Sequence, residues 1–113
     1  MRVHLVALAL SLAAALPAVA SASEPITGRW ALGGADCDAL AARSLVVTRS
    51  NLRWQGESCR IARMYKTGAV VHIQAKCWDR SGLRSVPVSL RPYRGGMELH
   101  WNRVAAGDLR RCR

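Results

Sequence analysis

The sequence predicts an all-β fold: a small antiparallel meander curled into a barrel or half-barrel and stabilised by two disulfides. Three observations carry this. Apolar and polar residues alternate with a period of two through most of the chain beyond residue 25, and no long stretch keeps helical spacing. Residues that favour tight turns punctuate the alternation at short intervals. Four cysteines, Cys37, Cys59, Cys77 and Cys112, form an even set in a chain too short to build a large core.

The elements follow in order. Residues 1–22 read as a signal peptide: Arg2 gives the positive start, Leu5–Leu16 an apolar run too short to span a bilayer, and Ala20-Ser21-Ala22 a small-x-small cleavage site. The Ala-rich run and the bias to arginine read as bacterial export, so the expected location is the periplasm or the exterior. Residues 23–113 are then one antiparallel β domain. Ile26–Leu32 alternates as a first strand, and Gly33-Gly34-Ala35-Asp36 breaks it. Cys37–Arg43 is either a turn of helix capped by Asp36 or a loop pinned by a disulfide. Leu45–Thr48 and Leu52–Trp54 form a hairpin about Ser50-Asn51.

Cys59–Tyr65 is the next strand. Its parity slips between Ile61 and Met64, which predicts a bulge or a strong twist. Lys66-Thr67-Gly68 turns into the central strand, Ala69–Trp78. Here Val71, Ile73, Ala75 and Cys77 share one face, and His72, Gln74 and Lys76 the other. Leu83–Leu90 follows, with Val86, Val88 and Leu90 inward and Pro87 outward, which predicts an edge or bulged strand. Arg94-Gly95-Gly96 turns into Met97–Asn102, Ala105-Ala106-Gly107 is the expected last turn, and Leu109–Cys112 a short closing strand.

The four cysteines admit three pairings. Cys37–Cys59 with Cys77–Cys112 is favoured, since each then ties an irregular or terminal segment to a strand. Closure of such loops stabilises by roughly 3–4 kcal/mol apiece, comparable to the whole stability of a small domain. The cysteine and histidine spacings match no zinc motif, so no metal or other cofactor is expected.

Seventeen Lys and Arg oppose seven Asp and Glu, a net charge of +10. Only Lys66 and Lys76 are lysine. Such a surface attracts polyanions. With no phenylalanine, tryptophan is the bulky core filler: Trp30, Trp54 and Trp101 have inward parity, whereas Trp78 points out beside Lys76 and Arg80. Trp78, Arg80 and Lys76, with the terminal cluster Arg110, Arg111 and Arg113, make up the candidate binding surface. Glu98 and His100 share the outward face of one strand, and His72 and Arg91 stand outward on others. That set holds an acid, a base and a cation for phosphodiester cleavage, although outward polar residues are equally what any solvated strand carries. The sequence contains no Gly-rich phosphate loop and no nucleophile–His–Asp pattern.

Gly28-Arg29-Trp30, followed soon by Cys37, resembles the opening of small exported bacterial β-barrel proteins such as the calycin-like periplasmic metalloprotease inhibitors. The later pattern, Glu57-x-Cys59-x-Ile61, then Cys77, then Arg111-Cys112, is similar to small uncharacterised exported proteins of alphaproteobacteria. The first resemblance implies a barrel and an inhibitory role. This chain departs from it in having cysteines for two disulfides rather than one, and in a short Ser23-Glu24-Pro25-Ile26 where those inhibitors carry an inserting trunk. The architecture carries over; the target does not.

The expected function is therefore a non-enzymatic secreted or periplasmic binding domain, in its most concrete form an inhibitor of a hydrolase with an acidic surface. The alternative is a module binding nucleic acid or an envelope polymer through Arg60, Arg63, Lys66, Arg110, Arg111 and Arg113. The third reading is a small secreted ribonuclease centred on Glu98 and His100.

Overall fold

A computed structural model describes residues 26–33, 37 and 43–113. The expected signal peptide, residues 1–22, and most of the segment around Asp36 lie outside these residues. Eight strands form a closed antiparallel barrel in simple meander order: β1 Gly28–Ala31, β2 Ser44–Val47, β3 Asn51–Trp54, β4 Glu57–Thr67, β5 Val70–Asp79, β6 Gly82–Tyr93, β7 Gly96–Trp101 and β8 Val104–Arg111. β8 returns to β1 and closes the wall through Trp30 opposite Arg111 and Ala31 opposite Arg110. No helix among the described residues is long and apolar enough to cross a membrane.

The alternation puts the core where the sequence expects it. Trp30, Trp54 and Trp101 are buried among Leu45, Val47, Leu52, Ile73, Val88, Leu90, Met97, Leu99 and Leu109. An eight-stranded barrel is just wide enough for its own side chains to fill it, and these tryptophans and aliphatic residues do so here. The Trp30 indole N–H, which burial would otherwise strand, donates to the Ile26 carbonyl at 2.9 Å. Ion pairs close one mouth of the barrel, where Arg84 meets Glu57 and Asp79. At the other mouth the Arg111 guanidinium lies 4.1 Å from the Trp30 ring centroid and donates to the Thr27 carbonyl at 2.8 Å. Gly28 makes room for it: a Cβ there would stand 2.7 Å from Arg111 Nη1.

The expected bulge is present, as a shift of register between Ile61 and Arg63 against β5. It decides the disulfide pattern. Below it Met64 faces Ile73; above it Cys59 faces Cys77, with Cα atoms 4.0 Å apart and both side chains buried. The bonds are thus Cys59–Cys77 and Cys37–Cys112, in place of the favoured Cys37–Cys59 and Cys77–Cys112. A hairpin that sets two inward cysteines directly opposite leaves neither within reach of a third. Cys112 is held instead beside β1, its N–H donating to the Arg29 carbonyl at 2.8 Å, and there it meets Cys37.

Two further differences have local causes. The last turn is Asn102-Arg103 rather than Ala105-Ala106-Gly107. Both residues adopt left-handed backbone (φ 52° and 67°), the geometry of a two-residue hairpin turn, and the Ala-Ala-Gly run enters β8, where the register shifts between Leu99 and His100. Pro87 lies inside β6, yet it costs no ladder bond. Its carbonyl accepts from Asn102 N–H at 2.8 Å, so its nitrogen points to that same side, just past the last β7 pair, Val88 opposite Trp101.

Candidate functional site

A barrel filled by its own side chains leaves binding to its outer wall, and the register specifies what stands there. Along β5 the outward residues are His72, Gln74, Lys76 and Trp78, spaced by about 6.7 Å. Across the strands they head transverse rows. Trp78 is flanked by Ser58 and then Arg53; Lys76 by Arg60 on β4 and Ser85 on β6; Gln74 by Arg63 and Pro87; His72 by Tyr65 on one side and by Ser89 and then His100 on the other.

The cations are distributed unevenly over this wall. Arg60 and Lys76 are direct cross-strand partners, and like charges so placed repel. No carboxylate among the described residues relieves them. The four described acidic residues are committed elsewhere: Glu57 and Asp79 to Arg84, Glu98 to Arg91, and Asp108 to Tyr93. The Lys76 ammonium turns aside to donate to Ser85 Oγ at 2.6 Å. Arg63 lies over the Tyr65 ring, 5.4 Å from its centroid. Trp78 is half exposed and overhangs a shallow depression of about 290 Å³ floored by Val46, Arg53 and Ser58. Trp78 and Lys76 of the candidate surface are thereby brought together with Arg53, Arg60 and Arg63, while Arg80 stands in the turn between β5 and β6.

The terminal arginines stand apart, on the opposite side of the closed strand order. Arg110, Arg111 and Arg113 border a depression of about 590 Å³ with Trp30, Tyr93 and Gly96. Arg111 is turned across the barrel mouth by its contacts with Trp30 and Thr27, so Arg110 and Arg113 supply the outward charge. The Tyr93 hydroxyl packs on Gly96; desolvation there, reinforced by a hydrogen bond with Asp108, pushes its phenol above the usual range.

Glu98 and His100 are on one face of β7 as expected, with His100 Nδ1 3.9 Å from Glu98 Oε1. The carboxylate, however, belongs to Arg91, which grips Oε2 with two N–H groups and holds its carboxyl below the usual range. His72 and His100 share a depression of about 220 Å³ with Tyr65, Gln74, Ser89 and Arg103. Glu98 does not line it. Sequence reasoning linked the two histidines but missed Arg53, Ser89 and Arg103. The signal for Arg103 was present: Asn102-Arg103 separates inward Trp101 from Val104 by the two residues of a tight hairpin.

The sole grouping of metal-type ligands among the described residues, Glu57 with Cys59 and Cys77, has its two sulfurs joined to each other. The chain is thus a closed, side-chain-filled, disulfide-bonded antiparallel barrel with a cationic outer wall. Comparison with protein-family models, curated proteins and solved structures finds no match.

Proposed function

We propose that this protein is a non-enzymatic binding domain, acting in the periplasm or outside the cell, that holds an anionic polymer against the outer face of β3–β5. The observation that carries the reading is the Arg60–Lys76 pair. Opposed like charges cost stability, and a strand pair has no internal use for them. An anion lying across the two strands turns that repulsion into attraction. Arg53 and Arg63 extend the charge on either side, and exposed Trp78 offers a stacking surface to an aromatic or sugar ring.

Binding of a single-stranded oligonucleotide, titrated over a range of salt concentrations, tests this. Affinity is expected to fall linearly on a log–log plot, with the slope reduced by roughly 0.7 for each cation removed in Arg60→Ala and Lys76→Ala. A salt-independent affinity, or a slope unaffected by both substitutions, overturns the reading.

A second reading, inhibition of a hydrolase, rests on the tip of the β5–β6 hairpin. Trp78 and Leu83 are direct cross-strand partners there, 50% and 59% exposed, and no described strand pairs with Gly82–Val86 on the side away from β5. An apolar pair beside an open strand edge is suited to a protein cleft. Trp78→Ala together with Leu83→Ser separates the two readings: it abolishes inhibition of a hydrolase and leaves the salt slope with the oligonucleotide intact.

A further inference from the structure

The depression on the β4–β7 wall has a composition that the polymer-binding face does not account for. Its wall holds two imidazoles, His72 and His100, a guanidinium, Arg103, and the neutral donors of Ser89, Gln74 and Tyr65. The sheet fixes this arrangement. Tyr65, His72, Ser89 and His100 are successive cross-strand partners in one transverse row, so the two histidines stand either side of Ser89 with roughly two strand spacings, about 10 Å, between their Cα atoms. That gap leaves space for a small group between the rings.

The rings are held from behind. His72 is stacked on Tyr65, with centroids 4.9 Å apart, and its Nε2 is 2.6 Å from Thr67 Oγ1, which leaves Nδ1 for a ligand. Among the described residues Ser89 Oγ, the Gln74 amide and the Arg103 guanidinium have no protein partner, so donors converge on the depression unspent.

Arg103 adds an independent observation. It sits in the αL region (φ 67°) at the second position of a turn where glycine would be unstrained. A turn chosen for stability would carry Asn-Gly. This one carries Asn-Arg and delivers a cation to the rim of the depression.

We infer that this depression is a seat for a phosphoryl group, bound between His72 and His100 and closed by Arg103. The charge around it agrees. From β4 the neighbours are Tyr65 and cationic Arg63; from β5 Gln74; from β6 Ser89, with Arg91 one row further; from β7 His100 and Glu98; from the turn Arg103. Glu98 is the single carboxylate in this set and it is neutralised by Arg91. The diverging oxygens of a phosphoryl group match a ring of converging N–H and O–H donors, and Arg103 adds a charge-assisted bond. The seat lies two rows from Arg60–Lys76, and it stands or falls separately from that face.

The test is an NMR titration of the intact, oxidised protein with inorganic phosphate against chloride at matched ionic strength, observing the imidazole signals. Phosphate is expected to shift the signals of both His72 and His100. Arg103→Gly is expected to weaken phosphate roughly tenfold with an undiminished Tm, because glycine accepts the backbone geometry that arginine strains to hold. Arg60→Ala leaves phosphate binding as it was. A trinucleotide that shifts the His72 and His100 signals more with a 5′-phosphate than without assigns the seat to a chain end; equal shifts assign it to an internal diester. Shifts no larger than those with chloride, or an Arg103→Gly variant that binds like the parent, overturn the inference.

Discussion

Two cross-strand pairs on the same barrel present the same geometry with opposite chemistry. On the β6–β7 wall Arg91 faces Glu98, and the two are joined by a bidentate ion pair. On the β4–β5 wall Arg60 faces Lys76, and nothing joins them. A sheet that needed only solubility would build the first kind everywhere. The first wall is self-sufficient, whereas the second has no described carboxylate on Arg60 or Lys76, and on the proposed reading a ligand completes it.

The comparison can be broken most forcefully from behind. Cys59–Cys77 staples β4 to β5 on the inner side of the repelling pair, so Cys59→Ala with Cys77→Ala is expected to lower stability by about 3 kcal/mol, read from denaturant midpoints, with a greater loss at low salt than at high. Next in size, Lys76→Glu makes the two walls alike. It should stabilise by about 0.2–1 kcal/mol and cut oligonucleotide affinity; stabilisation without loss of binding would sever the link between repulsion and function. The smallest effect belongs to the paired wall. The Glu98 carboxyl is held low by Arg91, so it binds protons less readily folded than unfolded. Its contribution is complete above the ordinary carboxyl pKa of about 4.3 and is lost as pH falls through the lower folded value. Glu98→Gln should remove this part of the acid sensitivity of Tm and leave the curve above neutrality unchanged.

Much of the fold was legible because inward and outward residues alternate strictly in β5, β6 and β7, and alternation is a local property. Trp30, Trp54 and Trp101 were placed inside and Trp78 outside on parity alone. Disulfide pairing was harder, since it depends on register summed along a hairpin. Counting back from the turn after Thr67 without the bulge sets Arg60, not Cys59, opposite Cys77; one extra residue near Ala62 restores the match. The slip was visible in the sequence, but its consequence two residues later was not drawn. The phosphoryl seat was legible only in part for a related reason. His72 and His100 announce themselves by type, whereas Ser89 joins them solely because three strands align, and Arg103 because a turn lacking glycine still folds as one.

The Cys37–Cys112 bond has a different character from its partner. Cys59 and Cys77 are neighbours in a hairpin, 18 apart in sequence, and can find each other early; Cys37 and Cys112 are 75 apart and meet only once β8 has come round to β1. That junction is secured by two residue pairs, the thinnest seam in the wall. The bond is therefore a record that the ring has closed. An oxidising compartment would make that record permanent, and a reducing one would return the molecule to an open ribbon along this line before any other.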